Sequence, residues 1–173
     1  MTQTNHPSYI ARTVAHPLVG RVVDDLVAHA GGVVIYDFGC GGREAALTAA
    51  IMIAQASRTP LIVIDAAVMR TQIAEHIDAV APDLPWEFVT PQLLVRHGGV
   101  PIRPGCTLAV HADRIAATGR SGRFLHERLP TVAHLVAAVH ARDVQKHADL
   151  IAAASDQCVC VLDRATVLAD LPN

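Results

Sequence analysis

A chain of 173 residues is long enough to bury one hydrophobic core of ordinary domain size. Its hydrophobic fraction of 51%, charged fraction of 17% and formal net charge of -2 exclude a disordered chain and give no global sign of a nucleic-acid partner. No apolar run reaches the ~20 residues that a membrane-spanning helix needs. The start of the chain has no signal-peptide core, so we expect a cytoplasmic protein without membrane contact.

Residues 1–11 are predicted to form a flexible N-terminal arm, followed by a single α/β domain over residues 12–173. Pro17–His29 carries its apolar side chains on one stripe, as an amphipathic helix does. The β-branched run Gly32–Asp37 predicts a buried strand. A Gly-rich turn follows, and then a nearly all-apolar helix over Glu44–Gln55.

Strands and helices continue to alternate through the rest of the chain. Apolar runs predict further strands at Pro60–Asp65, Trp86–Thr90, Cys106–Asp113, His134–Val139 and Gln157–Leu162. The helices predicted between them are Met69–Val80, Phe124–Leu129 and Asp143–Ala154, and the predicted loops include Arg96–Gly105 and Ala117–Arg123. This alternation predicts a three-layer α/β fold, a mostly parallel sheet with helices on both faces. Ligands of such sheets bind at the carboxyl ends of the strands.

The turn after the first strand has the glycines of a phosphate-binding loop without its lysine. Gly39, Gly41 and Gly42 supply flexible backbone, as is needed where N–H groups surround a phosphate. The lysine that would reach the outer phosphates and the hydroxyl that would hold Mg²⁺ are both missing. Taken alone, the turn is therefore a poor loop for ATP hydrolysis.

The same turn resembles the first turn of S-adenosylmethionine-dependent methyltransferases. Those enzymes open with D/E-x-G-x-G-x-G, to which Asp37, Gly39 and Gly41 correspond, although Arg43 replaces the last glycine. Asp65, at the end of the next strand, stands where an acidic residue binds the ribose hydroxyls. This resemblance implies a Rossmann-like sheet with S-adenosylmethionine as cofactor. Alternatively, Asp65 only caps the next helix.

A longer resemblance, over roughly residues 12–155, is to the first RecA-like lobe of the Swi/Snf-type helicase-like ATPases. In that family a strand enters a D-D/E-x-G-x-G-K-T loop and an apolar helix follows, and GGVVIYDFGCGGREAALTAAIMIA matches this register without a gap. The next strand and a helix ending in Ala-Pro-Asp-Leu match Pro60–Leu84. The D-E-A-H box falls on Val110–Asp113, and the T-G-T-P motif falls on Ala138–Ala141.

The positions that carry chemistry in that family are replaced in this chain. The loop lysine becomes Gly42 and the threonine Arg43, while the Mg²⁺-binding acid becomes Val110 and the catalytic glutamate His111. Phosphoryl transfer depends on that lysine and on an acid-held Mg²⁺, so the resemblance implies the fold without ATPase activity and without a cofactor. The vestigial nucleotide- or cofactor-binding turn would consist of Asp37, Gly39, Gly41, Gly42, Arg43 and Asp65.

Polar side chains also stand at the ends of two later strands. His111 and Asp113 end one predicted strand, and His140 follows another. If these strands are neighbours, the three side chains can converge as ligands or acid–base groups. The alternative is that the histidines cap strands or are solvated. No local spacing of histidines supports a metal, and we predict no metal site.

Four arginines fall in one short segment, Arg114, Arg120, Arg123 and Arg128. Such a patch can contact a phosphate backbone, and a solvated surface is the alternative. Together with the longer resemblance, the patch predicts a catalytically degenerate lobe that binds a partner protein or a nucleic acid, with homo-oligomerisation as a further option. The alternatives are a methyltransferase-like domain, which would be an enzyme, and a purely structural subunit.

Overall fold

The structure, a computed structural model, describes residues 9–169. Six strands form one sheet, and they are Gly32–Tyr36 (β1), Leu61–Ile64 (β2), Trp86–Val89 (β3), Thr107–His111 (β4), His134–His140 (β5) and Val159–Leu162 (β6). Their order is β3-β2-β4-β5-β1-β6, and every strand pair of this sheet is parallel. All six carboxyl ends therefore lie at one edge of the sheet.

Helices cover both faces of this sheet. They are Tyr9–Val14 (α1), Pro17–Ala28 (α2), Gly42–Ser57 (α3), Arg70–Val80 (α4), Pro91–Arg96 (α5), Arg120–Arg128 (α6), Ala148–Ser155 (α7) and Arg164–Ala169 (α8). The first four pack in one apolar core, and α5, α6 and α7 pack in a second core on the opposite face. The predicted three-layer architecture is confirmed. Over the same residues, no helix has the length and apolar character needed to cross a bilayer.

The apolar helix α3 determines where the site residues meet. It leaves the end of β1, passes over β5 and β4, and returns to β2, which is three positions away in the sheet. Its small side chains, Ala45, Ala49 and Ala50 among them, are fully buried and let the helix approach the strands closely. The first turn of α3 therefore lies at the carboxyl end of β1, and its Arg43 side chain reaches Asp65 beyond the end of β2.

The part of the predicted N-terminal arm that the structure describes is helical. Residues 9–11 begin helix α1, and Ile10 is only 3% exposed within the core that also contains α2, α3 and α4. Val14 lies one helical turn later and packs on the same core. Two apolar residues on one face are enough to dock this short helix. Residues 1–8 of the predicted arm lie outside the described residues.

Two further segments are more helical than predicted. Helix α6 begins at Arg120, inside the predicted loop, because Ser121 Oγ accepts a hydrogen bond from Ala116 N–H at 3.2 Å and Gly122 packs onto the preceding carbonyls. Helix α5 follows Thr90, whose side chain accepts from Leu93 N–H. The Ser/Gly-rich sequence of residues 117–123 indicated a loop, whereas these local contacts start α6, and no element was predicted for residues 91–95.

The order of the strands differs from that of a dinucleotide-binding Rossmann sheet, which runs 3-2-1-4-5-6. Here β4 and β5 lie between β1 and β2, so the ends of β1 and β2 are roughly 14 Å apart at ~4.8 Å per strand. No antiparallel strand is found within the described residues. The sheet geometry expected for the methyltransferase alternative is therefore absent from this part of the chain.

Candidate functional site

The carboxyl edge of the sheet brings together residues that are far apart in sequence. Asp65 follows β2, His111 ends β4 and His140 ends β5. Asp113 lies in a short 3-10 turn, Ala112–Arg114, directly after β4. Tyr36 ends β1 opposite His140 and completes the group. The predicted strand-end residues do converge, and Tyr36, which was not predicted, lies among them.

His111 is the centre of this group and is 8% exposed. Its Nδ1 lies 3.2 Å from Asp65 Oδ1, and its Nε2 lies 3.2 Å from Asp113 Oδ2. The same Nε2 is 2.7 Å from the hydroxyl oxygen of Tyr36. One imidazole thus connects the ends of β1, β2 and β4.

Asp113 extends the network to β5. Its Oδ2 accepts a hydrogen bond from the Tyr36 hydroxyl at 3.1 Å, and its Oδ1 accepts from His140 N–H at 3.1 Å. The rings of Tyr36 and His140 meet edge to face with centroids 5.5 Å apart. The Asp113 side chain is therefore engaged on both oxygens.

Arg43 closes the other side of the network from the first turn of α3. Its Nε donates to Asp65 Oδ2 at 2.9 Å, and its Nη2 lies 2.7 Å from the same oxygen. Asp65 Oδ1 also accepts from Ala66 N–H at 2.6 Å. Asp65 therefore forms ion pairs with Arg43 of α3 and with His111 of β4 at the same time.

The pKa shifts show how the network is charged. Burial alone would raise the pKa of Asp65 and Asp113, but hydrogen bonds and charge from His111, together with backbone N–H donors, lower both pKa values on balance. Burial alone would lower the pKa of His111, but its hydrogen bonds to both aspartates raise it. When His111 is protonated, its imidazolium and the Arg43 guanidinium balance the charges of the two carboxylates.

Tyr36 stays protonated within this network. Burial, and then the charge of Asp113 and its hydrogen bond, raise the pKa of the Tyr36 hydroxyl well above its usual range. The hydroxyl therefore serves as a hydrogen-bond donor to Asp113 rather than as a phenolate nucleophile.

The polar atoms of this site are engaged with one another. The oxygens of Asp65 and Asp113 already accept from His111, Arg43, Tyr36 and backbone N–H groups. Val110, at the Mg²⁺-acid position of the family, offers no oxygen and is 2% exposed. Across residues 9–169, no group of three or more His, Cys, Asp or Glu side chains is placed to hold a metal ion.

The Gly-rich turn is closed to a side chain at the lysine position. A Cβ built on Gly42 would overlap Tyr36 Cβ and lie 2.5 Å from Tyr36 Cγ. A Cβ on Gly41 would lie 2.6 Å from Thr13 Cγ2, since α1 packs against the turn. Gly41 also has a φ of 78° as the N-cap of α3. The turn is therefore packed by its own chain where a loop lysine would emerge.

The four predicted arginines do not form one patch. Arg114 lies in the 3-10 turn after β4 and faces the carboxyl edge. Arg120, Arg123 and Arg128 lie on α6, where Arg123 packs over the Phe124 ring at 5.1 Å and lies 3.8 Å from Glu127. Arg120 and Arg123 are exposed, and Arg128 is half-buried.

An open cleft lies above the buried network. It contains about 970 Å³ of space, part of it open to solvent, and its walls include the turn, Arg43 and Arg114. Phe38, in the turn itself, is 86% exposed on this cleft. Sequence reasoning overlooked both Phe38 and Tyr36. The available signal was that two aromatic residues flank the Asp37 position in a chain with only 3% aromatics.

Comparison with known proteins identifies a fold and no family. No protein-family profile matches the chain, and no curated protein matches it. A solved structure of the SWI2/SNF2 ATPase core from Sulfolobus solfataricus in complex with double-stranded DNA is similar, with a TM-score of 0.63 at 12% identity. The match covers 91% of this chain and 46% of that one, so the chain spans less than half of that protein. The RecA-like fold implied by the longer resemblance is supported.

Replacing Gly42 by alanine should destabilise the protein by about 1–3 kcal/mol, because the new methyl group overlaps Tyr36 next to the β1 backbone. Urea unfolding measures the change. Gly20→Ala is the matched control, since Gly20 lies within α2 and its Cβ would meet only ordinary contacts. That variant should gain about 0.5–1 kcal/mol. Equal stability of the Gly42→Ala and wild-type proteins would contradict the close packing of Tyr36 on the turn.

The His111 network predicts that its contribution to stability falls as pH rises above about 6.5. Because the folded-state pKa of His111 is raised above 6.5, its contribution is complete below about pH 6.5 and is lost as pH rises through the folded pKa. The lowered pKa values of Asp65 and Asp113 act in the other direction. Their contribution is present above about pH 4 and is lost as pH falls through their folded pKa values.

Urea unfolding of the wild type and His111→Gln between about pH 5 and 9 tests this prediction. The variant should be less stable by about 3–5 kcal/mol at low pH, because two buried carboxylates lose their partner, and the gap should narrow as pH rises. His76→Gln is the control. Burial lowers the pKa of His76, so His76→Gln should change the dependence of stability on pH only at acidic pH. Parallel profiles of wild type and His111→Gln would rule out a charged His111.

Proposed function

We propose that this chain is a RecA-like lobe that has lost ATP hydrolysis and acts as a binding module for nucleic acid. One observation carries the loss of hydrolysis. Position 42, where the resemblance places the loop lysine, is a glycine whose missing side chain is replaced by the packed ring of Tyr36. A lysine there is what neutralises the outer phosphates in loops of this kind.

The acidic-motif strand supports the same proposal. At its end, Val110 and His111 stand where the resemblance places the Mg²⁺-binding acid and the catalytic glutamate. His111 is held between Asp65 and Asp113, so both carboxylates act as charge partners of the imidazolium. Hydrolysis of ATP would require breaking a buried, charge-balanced cluster, whereas binding at the surface leaves the cluster intact.

Exposed arginines on the surface support nucleic acid as the partner. Arg120 and Arg123 lie on the outer surface of α6, and Arg114 lies at the nearby end of β4. Guanidinium groups at separate positions suit a phosphate backbone, which is contacted without reading its sequence. The net charge of -2 means that attraction to nucleic acid depends on this local surface. The similar solved structure is itself a DNA complex, which agrees with this choice of partner.

Assembly with a partner protein or a second copy is the second candidate, and strand β6 favours it. Within residues 9–169 this strand pairs with β1 alone. Its outward side chains Val159 and Val161 are 50% and 60% exposed. An edge strand with apolar side chains offers unpaired backbone groups to another chain.

Purified protein should release no phosphate from Mg²⁺-ATP above the buffer rate, with or without DNA, because the loop lysine and a free acid are absent. Gly42→Lys should not restore turnover, since Tyr36 occupies the space. A coupled phosphate-release assay measures both. Phosphate release that co-elutes with the protein and disappears in Asp113→Asn would come from the protein itself. Such a result would overturn the proposed loss of hydrolysis.

A fluorescein-labelled DNA duplex should bind in an anisotropy titration, with an affinity that falls steeply as salt rises. Arg120→Ala combined with Arg123→Ala should weaken binding and reduce the salt slope by about 2, one for each lost phosphate contact. Arg103→Ala is the control, because Arg103 pairs with Glu87 near the start of β3, at the opposite edge of the sheet.

Absent or salt-independent binding would contradict nucleic acid as the partner of α6. Light scattering on the same samples then measures the oligomeric state, which distinguishes self-assembly from binding of a partner protein. A dimer that Val161→Lys dissociates would identify assembly through β6, and a monomer would leave a separate partner protein.

A further inference from the structure

The cleft above the buried network gathers three of the six aromatic residues of the chain, Tyr9, Tyr36 and Phe38. Tyr36 belongs to the buried network, whereas Tyr9 is 53% exposed and Phe38 86% exposed. Single exposed apolar side chains are ordinary. Two exposed rings on the wall of one cleft, in a chain so poor in aromatics, indicate a surface that contacts flat apolar groups.

The turn presents Phe38 in a defined position. Cys40 N–H donates to Asp37 O at 3.1 Å, and Gly39 has a φ of 82°, as the third position of a type II turn requires. Asp37 is fixed in turn, because its Oδ2 accepts from Arg164 N–H at 3.1 Å and its N–H donates to Leu162 O at 3.0 Å. Phe38 is therefore held outward by an anchored turn.

Three arginines, Arg43, Arg114 and Arg142, line the same cleft together with the acidic Glu44 and Asp113. Arg114 and Arg142 both follow strand ends, in the 3-10 turns Ala112–Arg114 and Ala141–Asp143 after the adjacent strands β4 and β5. Both are exposed, and the Arg142 side chain, 75% exposed, lies 3.6 Å from Asp143 at its nearest carboxylate contact. The Arg43 charge is already balanced by Asp65. The charges available to a ligand are therefore those of Arg114 and Arg142.

We infer that this cleft binds single-stranded nucleic acid, with a base stacked on Phe38 and the backbone phosphates at Arg114 and Arg142. An exposed ring beside positive charge is the arrangement that binds single strands without reading sequence. Bases inside a duplex are stacked on one another and cannot reach the ring. The inference rests on the proposed function, since it assigns a second, strand-selective surface to the same binding module.

The buried network explains why a strand suits the cleft better than a nucleoside triphosphate. Its carboxylate oxygens already accept hydrogen bonds from protein donors, and position 42 has no room for a lysine. A strand needs neither group, because its phosphates carry single charges that isolated guanidinium groups can match. The open side of the cleft also allows a chain to enter and leave.

Anisotropy with a fluorescein-labelled oligodeoxythymidylate of about 10 nucleotides tests this inference, since single-strand site sizes are of this order. Phe38→Ala should weaken binding by about 5- to 100-fold, and Phe38→Trp should restore it, because every base has a face that stacks on an aromatic ring. Arg114→Ala with Arg142→Ala should also weaken binding and lower the salt slope by about 2.

Two matched control variants test whether removing an exposed apolar side chain or an arginine elsewhere on the protein also weakens binding. Val68→Ala removes an apolar side chain that is 80% exposed outside the cleft, and Arg103→Ala removes an arginine at the opposite edge. Neither should change the affinity for the oligonucleotide. Free thymidine monophosphate, added at equal phosphate concentration, should compete poorly, because it lacks the second phosphate contact.

Loss of affinity in Phe38→Ala alone, with rescue by Phe38→Trp, supports the inference. Unchanged binding in Phe38→Ala, an equal loss in Val68→Ala, or full competition by the free mononucleotide overturns it. The duplex titration keeps the two proposals apart. Duplex binding that depends on α6, with no oligonucleotide binding, refutes only the cleft, whereas oligonucleotide binding with no duplex binding refutes only the role of α6.

Discussion

The imidazolium of His111, held between Asp65 and Asp113, is the interaction on which the carboxyl edge of the sheet depends. Buried charges are tolerated only when they are paired and hydrogen-bonded, and removing one partner from such a cluster costs about 3–5 kcal/mol. Arg43 supplies the second positive charge, so the cluster is neutral when His111 is protonated. Since its members come from β2, β4 and α3, the cluster also fixes how these elements sit against one another.

This cluster and the Gly-rich turn are connected through Tyr36. The hydroxyl of Tyr36 reaches His111 and Asp113, and the base of its ring packs on Gly42. A side chain at position 42 would push the ring away from the network, and a nucleotide held by the acids would have to displace His111. The glycine in the turn and the histidine at the strand end are thus two parts of one packing arrangement.

Because the buried charges satisfy one another, the binding that we propose would use the groups outside them. Those groups lie on separate surfaces, namely the arginines of α6, the cleft beside Phe38 and the uncovered side of β6. The cleft lies at the carboxyl edge, where the strands end, whereas α6 lies on one face of the sheet. The sheet itself is stabilised by apolar burial on both of its faces.

The alternation of apolar runs determined the six strands, the three layers and the edge at which Asp65, His111 and Asp113 would appear, because strand and helix periodicity are local properties. Only the tertiary structure decided the strand order, which separates β1 from β2 and opposes the Rossmann alternative. It also decided that Tyr36 meets His111, 75 residues away, and that Ile10 is buried. Such contacts depend on which strands become neighbours, and local sequence patterns carry no information about that choice.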